Sequence, residues 1–280
     1  MKVAQKLLVA YFRTKLRLLS MVSSRKAAIA ALDLFSTPLR KSKRKTPPVF
    51  DTAEALRCEV GGYTLSGHRW RSPSGKKILI VHGFESSSKN FDCYISLLIA
   101  KGYEVVVFDA PAHGRSSGKR IDLPLYQQAL ARIHELYGPF DGFISHSFGG
   151  LAVAHLLETL PHSDTMRAVL IAPATEMVTT IDSFFRFLRL NGEVKKEFDQ
   201  LILERSGHTP GHFSVRRAMH SIRARVLWFH DEDDELTPVA DALVVKEENH
   251  PHVQFRITRG LGHRRIYRDQ HVVQEIVDFI

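Results

Sequence analysis

Ser147 stands in His146-Ser147-Phe148-Gly149-Gly150, between an apolar run at residues 141–146 and an apolar stretch that begins at Leu151. A serine on a sharp strand-to-helix turn has its hydroxyl pushed clear of the backbone. Small residues two before and two after it let the helix cross close to the strand; Ser145 and Gly149 fill those places. A serine hydroxyl becomes a nucleophile for acyl carbon when an imidazole takes its proton and a carboxylate holds that imidazole. Asp234 lies in His230-Asp231-Glu232-Asp233-Asp234-Glu235-Leu236-Thr237-Pro238, just after a run at 226–230. His263 lies in Arg259-Gly260-Leu261-Gly262-His263, just after a run at 253–258. Serine, acid and histidine in this chain order go with a nucleophile on such a turn. Taken singly, each has a plainer reading: a helix-capping serine, a solvated acidic loop, a surface histidine. Taken together they predict a nucleophile (Ser147), an acid that orients (Asp234) and a general base (His263).

These residues need elements that bring them to one edge. Residues 63–70 alternate with period two and suit an early antiparallel strand. Short Val-, Ile- and Phe-rich runs at 77–82, 103–108, 141–146, 168–172, 225–230 and 253–258 read as strands buried on both faces. Helical stretches lie near 91–101, 122–137, 148–160, 237–248 and 266–280. The alternation predicts an α/β chain with a mostly parallel, doubly covered sheet. About fifty residues between the runs at 168–172 and 225–230 carry no strand signal. They read as a helical cap, about 174–223, over the sheet edge that lines a ligand crevice. Phe184, Phe185, Phe187 and Leu188 in it would either wall an apolar tunnel for an acyl chain or glue the cap in place.

The net charge of +9 is unevenly spread. Residues 1–50 hold 12 Lys and Arg against one acid, Asp33, a net +11; residues 51–280 hold 27 against 29, a net −2. A nucleic-acid binder should carry its basic patch on the folded body, so no nucleic acid is expected. The chain reads as a basic N-terminal segment, 1–50, and a body, 51–280. On a helix, Lys2, Lys6, Arg13 and Arg17 share one side and Val3, Leu7, Tyr11, Leu18 and Val22 the other, with Lys15 as the exception. The longest apolar run there, Leu7 to Phe12, is too short to span a membrane or to serve comfortably as a signal-peptide core. The segment is therefore either an interfacial helix making peripheral contact with anionic membrane, or a helix packed on the body or on a second copy. Arg40-Lys41-Ser42-Lys43-Arg44-Lys45-Thr46-Pro47-Pro48 reads as a linker. Two cysteines, Cys58 and Cys93, make no disulfide framework and favour a reducing, cytoplasmic setting. The pairs His208/His212 and His250/His252 show no third ligand, so no metal and no cofactor is expected.

His82-Gly83-Phe84, the stretch from Asp109 to Ser116, Ser145 to Gly150, Asp234 with Pro238, and Gly262-His263 together resemble the α/β-hydrolase superfamily, over roughly residues 60–280. The broad look is of capped esterases similar to monoglyceride lipases or lysophospholipases. The chain departs from the pattern at Ala112 and Asp231, where glycine is usual, and at Ser145. The resemblance selects Asp234 over Asp231 and Asp233 by its spacing from His230 and Pro238. It also implies that the backbone N–H groups of Phe84 and Phe148 form an oxyanion hole. A serine at the elbow excludes the ester-forming aspartate of related epoxide hydrolases and dehalogenases. The implied activity is a serine esterase or acyl hydrolase acting on an ester, thioester or amide through an acyl-enzyme, with an acyl lipid as one substrate class. The alternative is a catalytically silent α/β-hydrolase fold that serves as a binding or scaffold protein.

Overall fold

A computed structural model describes residues 3–40 and 44–280. Lys2 of the N-terminal basic side and Lys41, Ser42 and Lys43 of the linker lie outside the described residues. The chain divides into two compact units: Pro38–Thr175 with Ser214–Ile280, and the described residues up to Thr37 with Glu176–Phe213.

The first unit is built on one sheet of eight strands: β1 (Glu54–Val60), β2 (Tyr63–Trp70), β3 (Lys77–Val81), β4 (Glu104–Phe108), β5 (Gly142–His146), β6 (Arg167–Ile171), β7 (Arg225–Asp231) and β8 (Val253–Thr258). Their order is β1-β2-β4-β3-β5-β6-β7-β8. Strands β1 and β2 run antiparallel to each other, β2 runs antiparallel to β4, and all further pairings are parallel. Parallel neighbours require crossovers, to which the helices α3 (Asp92–Ala100), α4 (Leu123–Tyr137), α5 (Phe148–Leu157) and α9 (Val239–Glu247) contribute, while a last helix, Gln270–Phe279, follows β8. Phe91, Tyr94, Val105, Ile144, Phe229 and Ile276 belong to the core between sheet and helices. Strand order reverses about β3, which lies between β4 and β5, and ligand crevices form at such a switch point, beyond the strands' carboxyl ends. Phe84 follows β3 and Ser147 follows β5.

Two strands differ from expectation. β1 carries Glu54, Arg57 and Glu59, so only Leu56 and Cys58 mark its buried side, and it gives little apolar signal. Gly61 and Gly62, both at positive φ (54° and 78°), turn it into β2. β8 alternates exposed and half-buried residues because it is the far edge of the sheet, not a strand covered on both faces.

The second unit contains α1 (Val3–Val22), α2 (Ser24–Phe35), α6 (Met177–Leu188) and α7 (Gly192–Ser206). Ser23 starts α2, its Oγ accepting a hydrogen bond from the Lys26 N–H at 3.3 Å. Ala27, Ala28 and Ala31 are fully buried, and such small side chains let α2 lie close on α7. Arg25 donates to Glu197 (3.2 Å) and Glu204 of α7. Phe35 meets Phe184 (ring centroids 5.0 Å apart) and Phe198 (5.7 Å), and Phe185 meets Phe198 (5.1 Å). Phe185 and Leu188 are buried, and the Arg13 guanidinium lies 5.3 Å from the Phe187 ring centroid. The aromatics Phe184, Phe185 and Phe187 are thus engaged within this unit, with Phe35 of α2, Phe198 of α7 and Arg13 of α1.

The expected boundaries at 50, 174 and 223 therefore differ from the observed grouping. Residues 38–40 and 44–50 join the sheet unit because Phe50 is buried beside Trp70 and Arg44 grips Asp92 through two 2.8 Å hydrogen bonds. Residues 214–223 join it because α8 (Val215–Met219) buries Val215, Ala218 and Met219 and packs on α5.

Candidate active site

β5 feeds directly into α5, and Ser147 makes the turn with φ 56° and ψ −124°, a conformation that costs a non-glycine residue about 1–3 kcal/mol. Its side chain makes no capping hydrogen bond, which removes the plainer reading of this serine. The close crossing is visible in the glycines: a Cβ on Gly149 would lie 2.6 Å from the His82 carbonyl oxygen, and one on Gly150 2.8 Å from Pro173. Ser145, the departure from glycine, donates its hydroxyl to the Val169 carbonyl at 2.8 Å, so the larger residue is accommodated by the neighbouring strand.

His263 lies 2.9 Å (Nε2) from Ser147 Oγ and 2.8 Å (Nδ1) from Asp234 Oδ2. With Asp234 ionised, Nδ1–H donates to the carboxylate and Nε2 is left to accept the serine proton. Burial opposes ionisation of Asp234, but the His263 hydrogen bond and charge and the N–H groups of Thr237 and Leu236 outweigh it, holding the carboxyl below its usual range. Asp231 does not reach His263. Its carboxylate accepts from the N–H groups of Gly262 (2.8 Å), Leu261 (3.1 Å) and Asp233 (3.0 Å) and from the Thr258 hydroxyl (2.7 Å). It fastens the loop that carries His263, a use for the acid that replaces the usual glycine.

Several residues of the site were not singled out from sequence. Thr237 donates its hydroxyl to Asp234 Oδ2 at 2.8 Å. His146 Nε2 donates to the His263 backbone carbonyl at 2.9 Å, and its ring lies 4.6 Å from the His263 ring and 4.4 Å from that of Tyr267. Burial, then the neighbouring His263, pushes the His146 imidazole well down, so it stays neutral. His146 could have been noticed as the residue before the nucleophile; the carbonyl it binds is 117 positions away.

The loop after β3 approaches the serine closely. A Cβ on Gly83 would lie 2.8 Å from Ser147 Cβ and 3.0 Å from the His146 carbonyl oxygen, so only glycine fits. Two histidines set this loop. His82 accepts from the Ala110 N–H (Nε2, 2.9 Å) and donates to the Gly83 carbonyl (Nδ1, 2.7 Å). His113 accepts from the Glu85 N–H (Nε2, 3.0 Å) and donates to the Pro111 carbonyl (Nδ1, 2.9 Å). The segment from Asp109 to Ser116 is held by Asp109, which accepts from Ser88 (N–H and hydroxyl, both 2.9 Å) and the Arg115 N–H (2.9 Å). Ala112 takes φ 65° there, the left-handed turn that glycine would occupy at no cost. Between these supports, the N–H groups of Phe84 and Phe148 make no backbone hydrogen bond among the described residues.

Elsewhere in the sheet unit, His220, Glu248 and His250 bring one ligand atom each within 4.8 Å of one another. Arg216 donates to Glu248 at 2.5 Å and already neutralises the carboxylate, which opposes a cation there. His252, the partner read from sequence, is not among the three.

Residues 72–207 match the family model described as serine aminopeptidase, S33. Among curated proteins, the chain is 27% identical over 135 residues to the bifunctional esterase/perhydrolase DCH of Acinetobacter calcoaceticus, covering 47% of each chain. It is 22% identical over 236 residues to a non-heme haloperoxidase of Rhodococcus erythropolis, 68% of this chain and 86% of that one. The match to a serine hydrolase-like protein of Danio rerio is 27% over 158 residues, 55% of this chain and 48% of that one. The chain thus aligns with about half the length of the first and third of these relatives. Among solved structures, an esterase of Pyrococcus furiosus superimposes with TM-score 0.67 at 22% identity, covering 87% of this chain and 96% of that one. The ferulic acid-bound Est1E of Butyrivibrio proteoclasticus superimposes with TM-score 0.61 at 16% identity, covering 80% and 97%.

Proposed function

We propose that the chain, which has the fold of α/β-hydrolase esterases and matches the serine aminopeptidase model over residues 72–207, is a serine hydrolase that cleaves a carboxylic ester, thioester or amide through an acyl-enzyme. The observation that carries this reading is the unbroken line from Asp234 through His263 to Ser147, at 2.8 and 2.9 Å.

In the proposed reaction, Ser147 Oγ attacks the acyl carbon while His263 Nε2 takes its proton. Asp234 holds the imidazole tautomer and stabilises the imidazolium. The oxyanion is received by the N–H groups of Phe84 and Phe148, which have no backbone acceptor among the described residues and sit on a glycine loop and a helix N-terminus. His263 then gives its proton to the leaving oxygen, sulfur or nitrogen. Water, deprotonated in turn by His263, attacks the acyl-enzyme; the carboxylic acid leaves and Ser147 regains its proton. No redox partner or cofactor enters this balance.

For the acyl group, an acyl lipid is proposed as the substrate class. A series of p-nitrophenyl esters of increasing chain length, run beside Ser147→Ala, tests both parts. The reading expects turnover that peaks at one chain length and falls by about a millionfold in the variant. Equal rates in the two proteins would remove Ser147 from the chemistry and turn attention to the silent, binding version of the fold.

A further inference from the structure

Helix α1 packs on α2 and α6 through the side that holds buried Leu16 and half-buried Val9 and Phe12. The other side does not follow the usual rule. Leu7, Tyr11, Leu18 and Val22 fall on one stripe at helical spacing, and they are 66, 58, 59 and 77% exposed. Met21 beside them is exposed as well. The apolar side evident in the sequence is therefore not the side that packs. A run of large apolar side chains in water on a helix that already has a packing face marks an interaction surface.

The cations sort in the same way. Arg13 donates to the Phe187 carbonyl at 3.1 Å, and Arg25 is engaged by Glu197 and Glu204. Lys6, Lys15 and Arg17, which flank the stripe, are exposed and make no ion pair among the described residues. They belong to the first fifty residues, whose net +11 contrasts with −2 for the remainder.

We infer that the outer face of α1 docks on an anionic lipid bilayer. The helix lies along the surface, its stripe at the acyl boundary and Lys6, Lys15 and Arg17 at the headgroups. Charge and apolarity select this occupant together. A second copy on a two-fold axis would set the same cations against one another around the same stripe. A nucleic acid would satisfy the cations and leave the leucines in water. Crossing the bilayer is not an option, because among the described residues no helix is long and apolar enough. The inference does not depend on the serine chemistry, since a protein without activity would dock equally well.

The test is sedimentation of the full chain with vesicles of phosphatidylcholine alone and of phosphatidylcholine with phosphatidylserine, at low and high salt. One variant replaces the stripe (Leu7→Gln, Leu18→Gln, Val22→Gln) and another the flanking charges (Lys6→Gln, Lys15→Gln, Arg17→Gln). All six side chains are exposed, so the unfolding transition should not move. The expected result is co-sedimentation with the anionic vesicles that weakens with salt. Each cation removed should lower the partition coefficient roughly fivefold, about a hundredfold for all three, and the stripe variant should lose binding to both vesicle types. No co-sedimentation at low salt would overturn the inference, and so would equal binding by wild type and both variants. Self-association of the wild type that the stripe variant abolishes would assign the face to a second copy instead.

Discussion

The conformation of Ser147 separates what the fold prefers from what the site requires. A glycine there would relieve about 1–3 kcal/mol of backbone strain, against roughly 0.5–1 kcal/mol lost to glycine's extra freedom when unfolded. Ser147→Gly should therefore unfold about 1 kcal/mol later than Ser147→Ala in urea, while both lack activity. Equal midpoints and slopes would mean that the turn is not strained. At Gly83 the limit is space: with its Cβ 2.8 Å from Ser147 Cβ, Gly83→Ala should displace the Phe84 N–H. The kcat should then fall on the order of 100-fold with KM little changed, as steady-state kinetics would read. Ser147, Asp234 and His263 were legible in the sequence because each follows a strand in a short loop. His146, Thr237 and the latch made by Asp231 were not, because their partners are backbone groups or side chains that only folding brings near.

Among the elements, the loop that carries His263 has the most to reveal. Burial works against ionised Asp231, yet the hydrogen bonds from Thr258, Gly262, Leu261 and Asp233 prevail and hold the folded carboxyl below its unfolded range. A depressed folded pKa contributes stability that is full above the unfolded value, near 4, and is lost as pH falls through the folded one. Asp234 adds in the same direction. Unfolding free energy should therefore drop as pH is lowered below about 4, and Asp231→Asn should make that drop shallower; an unchanged slope would contradict the latch. Strands β3 to β7 could be read from sequence because strands covered on both faces are apolar along their length. At the edges the reading was poorer: β1, with three charged residues in seven, escaped, and β8 was found as a strand but is not covered on both faces.

Across the whole molecule, the division into units is the largest departure from a reading made along the chain. Helix α2 and its contacts with α7, as from Arg25 to Glu197 (172 positions on), leave no local mark, because the partners are far apart in the chain. Phe198→Ala should cost about 3–5 kcal/mol and lower hydrogen-exchange protection in α2, α6 and α7 before it does so in the sheet; uniform loss would mean that the helices do not cooperate as a unit. The basic excess of the first fifty residues also belongs to this scale, as does the proposed docking of α1 on a lipid surface. The central claim remains the nucleophile, and the most direct measurement is intact-mass and peptide mapping after reaction with a fluorophosphonate. The account predicts one phosphonyl adduct, located on Ser147, absent in Ser147→Ala and strongly slowed in His263→Ala. An adduct on another residue, or one that persists in Ser147→Ala, would contradict it.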